Sequence, residues 1–190
     1  SNADWVAESD QTGAEFGSLV APAGDVNGNG RADVLVGAPK YDNGATDEGR
    51  VYLFLGTAAG LAIFPAWTAE SNQTFSSFGH CASTAGDVNG DGFADVIIGA
   101  HMYDNTETDE GAVFLWYGAS AFGTGADGNP ANAAWMAQSD QAGASFGLSV
   151  GTAGDVNGDG YSDIIVGAYL YDNGTTDEGA AFLWHGSAAG

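Results

Sequence analysis

A nine-residue loop is written three times in this chain: DVNGNGRAD from Asp25 to Asp33, DVNGDGFAD from Asp87 to Asp95, and DVNGDGYSD from Asp155 to Asp163. Carboxylate or amide oxygens at loop positions 1, 3, 5 and 9, with a backbone carbonyl at position 7, make an oxygen cage for a hard cation. Ca2+ suits such a cage because it takes six to eight oxygens in flexible geometry. Glycines at positions 4 and 6 permit the sharp wrap, since glycine reaches positive φ without steric penalty.

The residues after the loop decide what it joins. An EF-hand closes with a bidentate Glu at position 12 and runs into a helix, but here position 12 is Val36, Ile98 or Val166. The same missing acid argues against a dockerin-type repeat. From position 9 onward the chain reads DVLVGA, DVIIGA or DIIVGA, short β-branched runs with the pattern of buried strands. The cage therefore sits on a strand-to-strand turn.

Self-similarity extends well beyond the loop. Trp5, Trp67 and Trp135 correspond, as do Phe16, Phe78 and Phe146, Tyr41, Tyr103 and Tyr171, and Gly49, Gly111 and Gly179, at offsets of 62 and 68 residues. The six extra residues of the second interval fall in the Gly-, Asp- and Asn-rich turn between Ala119 and Ala133, a surface insertion. Each unit offers four strand candidates. The first is made of small residues (Ser18 to Ala23 and its equivalents), the second is the DVLVGA type, and the third is RVYLFLG, AVFLWYG or AAFLWHG. The fourth is short and holds the tryptophan: DWVAES, AWTAES or AWMAQS. No stretch has a 3.6-residue apolar period, so helices are not expected. Four-stranded units repeating at this length indicate an all-β chain of β-propeller blades, with the small-residue strand innermost. The repeats run over about 4–65, 66–133 and 134–190, after a tag-cleavage remnant at residues 1–3.

Composition narrows the partners. Twenty-five acidic residues against three basic ones give a net charge of −22, and three Ca2+ ions would lower it only to −16. Nucleic acid and anionic membranes would be repelled at long range, so neither is an expected partner. The lone Cys81 makes no internal disulfide, and no apolar run reaches the 18 residues of a membrane span. Loops with few carboxylates usually need millimolar Ca2+, which points to a secreted or surface setting.

Phe16 and Gly17, then the cation loop, then Gly37, Ala38 and Pro39, resemble the FG-GAP repeat of integrin α-subunit propellers and their bacterial relatives. The resemblance runs from Trp5 to Gly186. In the second and third units the last motif becomes Gly99-Ala100-His101 and Gly167-Ala168-Tyr169, and the first loop carries Asn29 where the others have Asp91 and Asp159. The resemblance implies a propeller in which Ca2+ rigidifies the loop between strands one and two. It assigns the first site to Asp25, Asn27, Asn29 and Asp33 with the carbonyl of Arg31. The second takes Asp87, Asn89, Asp91 and Asp95 with the carbonyl of Phe93, and the third takes Asp155, Asn157, Asp159 and Asp163 with the carbonyl of Tyr161. Site one, with two carboxylates instead of three, is expected to be the weakest. The family usually has seven blades and often binds ligands on the face opposite the cations. Three blades are too few to close, since propellers run from about four to eight. The order of elements, with a fourth strand at Trp5 first and a third strand at Trp184 last, suggests a homodimer that completes a six-bladed ring by strand exchange, or adjoining repeats of a longer parent.

A second repeated cluster joins strands two and three on the opposite face: YDNGATDEG, YDNTETDEG and YDNGTTDEG. It reads either as a solvated acidic turn, which these residues commonly build, or as a ligand face for a sugar or peptide. The ligand face would use Tyr41, Asp42, Asp47 and Glu48, with Tyr103, Asp104, Asp109 and Glu110, and Tyr171, Asp172, Asp177 and Glu178. Gly147, Ser149 and Gly151 match GxSxG, but a nucleophile elbow needs a strand, a strained turn and a helix, and the equivalents of Ser149 are Leu19 and Cys81. His80, His101 and His185 occupy three different repeat positions without zinc-like spacing. Trp116 and Trp184 recur with the other tryptophans at strand positions and suit blade packing. Asn72 and Asn173 head NQT and NGT sequons. The chain reads as a non-enzymatic, extracellular Ca2+-binding module for adhesion or ligand recognition. The alternatives are a propeller attached to a secreted enzyme, as in the glycosylphosphatidylinositol-specific phospholipase D that carries similar repeats, and a purely structural assembly module.

Overall fold

The computed structural model describes residues 2–189, so Ser1 of the expected remnant lies outside the described residues. Three antiparallel meanders carry the fold. The first runs through β1 (Leu19–Gly24), β2 (Asp33–Ala38) and β3 (Arg50–Phe54), passes a small hairpin of β4 (Gly56–Thr57) and β5 (Gly60–Leu61), and ends on β6 (Trp67–Glu70). The second is β7 (Cys81–Gly86), β8 (Asp95–Ala100), β9 (Ala112–Trp116) and β10 (Trp135–Gln138), and the third is β11 (Phe146–Gly154), β12 (Asp163–Ala168) and β13 (Ala180–Trp184). β1, β7 and β11 lie side by side, so the sheets fan out from a shared inner row as three blades of a propeller.

The residues explain the order. A strand with blades on both faces has no solvent side, so it reads as a continuous apolar run instead of an alternating one. All six residues of β8 are buried accordingly. Backbone approaches backbone where the middle strands β2 and β8 meet the chain entering the next blade's inner strand. A β-carbon on Gly37 would lie 2.2 Å from the carbonyl oxygen of Gly79, and one on Gly99 would lie 2.0 Å from that of Gly147. The same holds one turn further out, where Gly49 and Gly111 lie against the backbone of Phe78 and Phe146. Those two phenylalanines are 0% and 1% exposed, each wedged between its own blade and the one before it.

Aromatic rings tie the outer strand of one blade to the next blade. Trp67 meets Trp116 at 5.5 Å between ring centroids, and Trp135 meets Trp184 at 5.4 Å. The sheets are thus offset from the sequence repeats by one strand: β6 lies in the second repeat but pairs with β3 of the first blade, Trp67 opposite Leu53. This offset corrects one expectation. The segment holding Trp5 forms no strand, because no third strand of an earlier blade stands beside it. Its tryptophan still occupies the equivalent place, on Phe54 at 4.9 Å, with Nε1 donating to the carbonyl of Ala62.

The insertion between the second and third repeats covers the outer edge of the first blade. Phe122 packs on Trp67 at 5.2 Å, and Gly128 bridges to Ala69 beside β6. A 3-10 turn at Pro130–Asn132, closed by a reciprocal cap between Asn129 and Asn132, holds the insertion in shape. It blunts an edge strand that would otherwise present unpaired backbone groups.

Gly99→Ala isolates the cost of the blade contact, because Gly99 does not need positive φ. Overpacking of this kind costs about 1–3 kcal/mol, and denaturant unfolding should show that loss. Gly151→Ala, where nothing lies within 4 Å and the first repeat already has Ala21, should stay within about 0.5 kcal/mol of the parent.

Candidate cation sites and the opposite loops

All three nine-residue loops fold the same way at one end of the blades. In loop two, Asp87 Oδ1 accepts from the Gly90 and Asp91 amides, its Oδ2 accepts from Gly92, and Asn89 Oδ1 accepts from Asp91. Asp91 Oδ1 then accepts from Phe93 at 3.0 Å. Loop three repeats this set with Asp155, Asn157 and Asp159, and loop one repeats it with Asp25, Asn27 and Asn29 except for the bond from the position-4 amide. Side-chain oxygens at positions 1, 3 and 5 are in this way drawn toward the inside of a single wrap.

Position 9 is tied to the rest of the blade. Asp33, Asp95 and Asp163 are 0% exposed, and each carboxylate bridges two elements of its blade. Asp95 Oδ2 accepts from Val88 at 2.8 Å and Oδ1 from Gly118 at 2.8 Å, which fastens the loop to the end of β9. Asp33 takes Val26 and Gly56, and Asp163 takes Val156 and Gly186. Burial pushes the Asp95 carboxyl up to about 6 against the pull of these amides, with Asp91 and Asp87 adding repulsion. Burial likewise raises Asp33, where Asp25 adds repulsion. Burial also pushes Asp163 upward, but the amides of Val156 and Gly186 and the nearby His185 together leave it below the usual carboxylate range. The spacing of the motif gives these aspartates a ligand role and hides the clamp. A signal for it is present in the sequence, since Gly56, Gly118 and Gly186 each come a constant 23 residues after the aspartate.

The donor chemistry fits a hard cation: every side chain at positions 1, 3, 5 and 9 offers oxygen, and a carboxylate oxygen that accepts one amide keeps a second lone pair. Among the described residues, however, no three His, Cys, Asp or Glu side chains gather closely enough to form a cluster of their own.

The repeated motif is matched by the model of the FG-GAP repeat at residues 16–54, 82–116 and 146–184. This chain belongs to the FG-GAP repeat family. Similar proteins include mouse integrin alpha-IIb, 35% identical over 84% of this chain, and Drosophila melanogaster integrin alpha-PS2, 36% identical over 85%. Xenopus laevis integrin alpha-5 is 32% identical over 95%. The chain spans only 12–17% of the length of these three relatives.

At the other end of the FG-GAP blades, the YDN-TDEG loops are braced from within. Glu48 and Glu110 are 0% exposed. Glu48 Oε1 accepts from the Asn43 and Ala45 amides, and Glu110 Oε1 accepts from Asn105, Thr106 and Glu107. The Asp42, Asp104 and Asp172 carboxylates accept from Asp47, Asp109 and Asp177, three residues held at φ of 47°, 51° and 54°. The tyrosine rings face inward: Tyr41 packs on Tyr52, Tyr103 on Phe114 and Tyr171 on Phe182. Arg50 stacks over Tyr41 at 3.9 Å and pairs with Glu70. Glu178, in the third blade, is exposed and accepts from Thr175 Oγ1. The structure therefore gives Tyr41, Tyr103, Tyr171, Glu48 and Glu110 partners inside the blade, half-buries Asp47, and leaves Asp42, Asp104, Asp109, Asp172, Asp177 and Glu178 on the surface.

The remaining sequence candidates fall apart spatially or serve packing. Ser149 stands in β11 opposite Gly167, with strand and not helix after it. His80 and His101 stack edge to face at 4.8 Å, and the buried His101 Nδ1 has no hydrogen-bond partner. His185 reaches Asp163 at 3.3 Å.

Two measurements test this geometry. Asp95→Asn places an amide donor against a backbone donor in a buried site, so it should destabilise the protein by about 1–3 kcal/mol even in EDTA; an effect seen only with Ca2+ present would contradict the clamp. Burial, aided by His80, lowers the His101 pKa from 6.5 to about 4. The unfolded chain then binds a proton that the folded chain refuses, so this stability is full above pH 6.5 and lost as pH falls toward 4, at up to about 1.4 kcal/mol per unit. His101→Tyr, which copies Tyr169, should flatten the stability profile in that window relative to the parent.

Proposed function

We propose that this FG-GAP segment is an extracellular, Ca2+-stabilised propeller module that recognises a protein or glycan ligand and has no catalytic site of its own. The observation that carries the reading is the threefold wrap of side-chain oxygens at positions 1, 3 and 5, with few basic residues near to neutralise them. Asp25, Asn27 and Asn29 with the Arg31 carbonyl would hold the first ion, Asp87, Asn89 and Asp91 with the Phe93 carbonyl the second, and Asp155, Asn157 and Asp159 with the Tyr161 carbonyl the third. The buried Asp33, Asp95 and Asp163 fix each wrap to its blade and add a charge close by. A bound ion would supply positive charge that relieves carboxylate repulsion; its role is structural. An oxygen-only donor set with one carboxylate in the first wrap and two in each of the others, or one more with the ninth aspartate counted, matches the weaker, extracellular class of Ca2+ site. The acidic surface left by the YDN-TDEG loops is the face we assign to ligand contact.

Calorimetry on EDTA-stripped protein should show Ca2+ uptake at three sites per chain, with loop one weakest. Saturation to one hundred times Kd adds about 2.7 kcal/mol per site, which for a chain of this size raises Tm by roughly 5–10 °C. Asp91→Asn, which rebuilds loop one's donor set in loop two, should bring the second site down to the affinity of the first. Absence of both heat and thermal shift would overturn the calcium reading. A protein and glycan array probed with the parent and with an Asp42, Asp104, Asp172→Ala triple variant tests the recognition face: equal binding by both would exclude it.

A further inference from the structure

The insertion between the second and third repeats builds a cleft that neither the cation loops nor the YDN-TDEG loops use. It leaves the second blade after β9, and the Ala119 amide donates to the carbonyl of Val26 at 2.9 Å, so it starts against the first blade. It then follows β6, where the Gly128 amide donates to Thr68 and the Glu70 amide donates to Gly128. Between these two attachments the chain arches over the rim where the blades meet. Beneath the arch is a cleft of about 430 Å3, open to solvent on one side and within the range of small-molecule sites. Four aromatic residues from three elements line it: Trp67 of β6, Trp116 and Tyr117 at the end of β9, and Phe122 of the insertion. Trp67 and Trp116 are nearly buried, whereas Tyr117 and Phe122 are half-buried.

The charge around the cleft selects the sign of a ligand. Aromatic faces carry a negative partial charge and attract cations. None of Arg31, Lys40 and Arg50 is among the lining residues, and the exposed Asp127 follows Ala126 at the lip, with Oδ1 accepting from the Thr68 amide at 3.0 Å. The net charge of −22 concentrates cations and repels anions.

The polar groups select the kind of cation. Asn132 is the one side-chain amide on the walls, and it is spent: Oδ1 accepts from Trp116 Nε1 and the Asn129 amide, and Nδ2 donates to the Asp127 carbonyl. A sugar, with a ring of hydroxyls to satisfy, would find few partners there. A primary ammonium would give up tightly held water without replacement. A quaternary ammonium has no N–H to satisfy and presents methyl groups under a diffuse charge, which is what a set of aromatic rings holds.

We propose that this cleft binds a small, free quaternary ammonium cation of the choline class, with Trp67, Trp116, Tyr117 and Phe122 around its methyl groups and Asp127 at the entrance. The site shares no residue with the cation loops or the YDN-TDEG loops, so it stands or falls apart from the calcium and recognition readings.

Calorimetry and tryptophan fluorescence on the protein in Ca2+ buffer should show saturable binding of choline and of tetramethylammonium. No saturation by either up to about 20 mM, well past the millimolar Kd of a weak small-molecule site, overturns the site. The neutral isostere of choline, with a quaternary carbon in place of nitrogen, should bind about tenfold more weakly; equal binding would mark a merely apolar cleft and overturn the cation assignment. Tyr117→Leu, which copies Leu55 of the first repeat, and Phe122→Leu each keep apolar bulk and remove a ring. Each should retain the parent's circular dichroism and weaken choline binding by about three- to tenfold; if both fold and bind as the parent does, the location is wrong. Phosphatidylcholine vesicles carry the same head group on a lipid, and the protein should stay in the supernatant when they are pelleted. Co-sedimentation with them would overturn the assignment to a free cation.

Discussion

The carbonyl oxygens of Gly79 and Gly147 stand where a β-carbon on Gly37 or Gly99 would stand, about 2 Å away. Blades at that distance touch along backbone, not along side chains, and this closeness dictates the rest of the fold. Middle strands must be apolar on both faces, and the bulk needed to fill the widening gap must come from further out. Phe78 and Phe146 supply it near the inner row, and the tryptophan pairs supply it at the rim. The loops obey the same geometry. Gly28 lies under the ring of Phe93 and Gly90 under the ring of Tyr161, so the residue at position 4 of one cation loop is roofed by position 7 of the next. Glycine at position 4 thus answers two demands at once, the positive φ of the wrap, 71° and 76°, and the neighbour's ring.

Much of this was legible because the repeat is its own alignment. The offsets of the tryptophans, phenylalanines and tyrosines give blade count, strand order and the place of the insertion. The features that stayed hidden share a cause, namely that a residue's partner lies in a different blade or at a different strand end. Trp5 carries the fourth-strand pattern, yet pairing depends on an edge beside it, which local sequence cannot supply. Asp33, Asp95 and Asp163 look like cage ligands by spacing, and only the fold shows that Gly56, Gly118 and Gly186 bring amides to them. Glu48 and Glu110 read as surface acids in turns rich in Asp, Asn and Thr. Their burial comes from the loop closing over them, with the Glu48 carbonyl tied to Ser71 and Ser76 and the Glu110 carbonyl to Ser139.

The three cation loops share a backbone but not an electrostatic setting, and the differences run along the arc. Loop one holds Asn29 in place of an aspartate and has Arg31 at position 7, whose Nη1 donates to the Asn29 carbonyl at 3.1 Å. A fixed positive charge already leans on the wrap, so loop one has both less charge to attract a cation and less repulsion for a cation to relieve. Loop two has two aspartates in the wrap, Asp87 and Asp91, beside the buried clamp Asp95, whose carboxyl burial pushes up to about 6. Loop three has the matching Asp155, Asp159 and clamp Asp163, but His185 stands on Asp163 where the other blades have Leu55 and Tyr117. The middle loop is therefore the one whose acidic oxygens have no basic side chain against them.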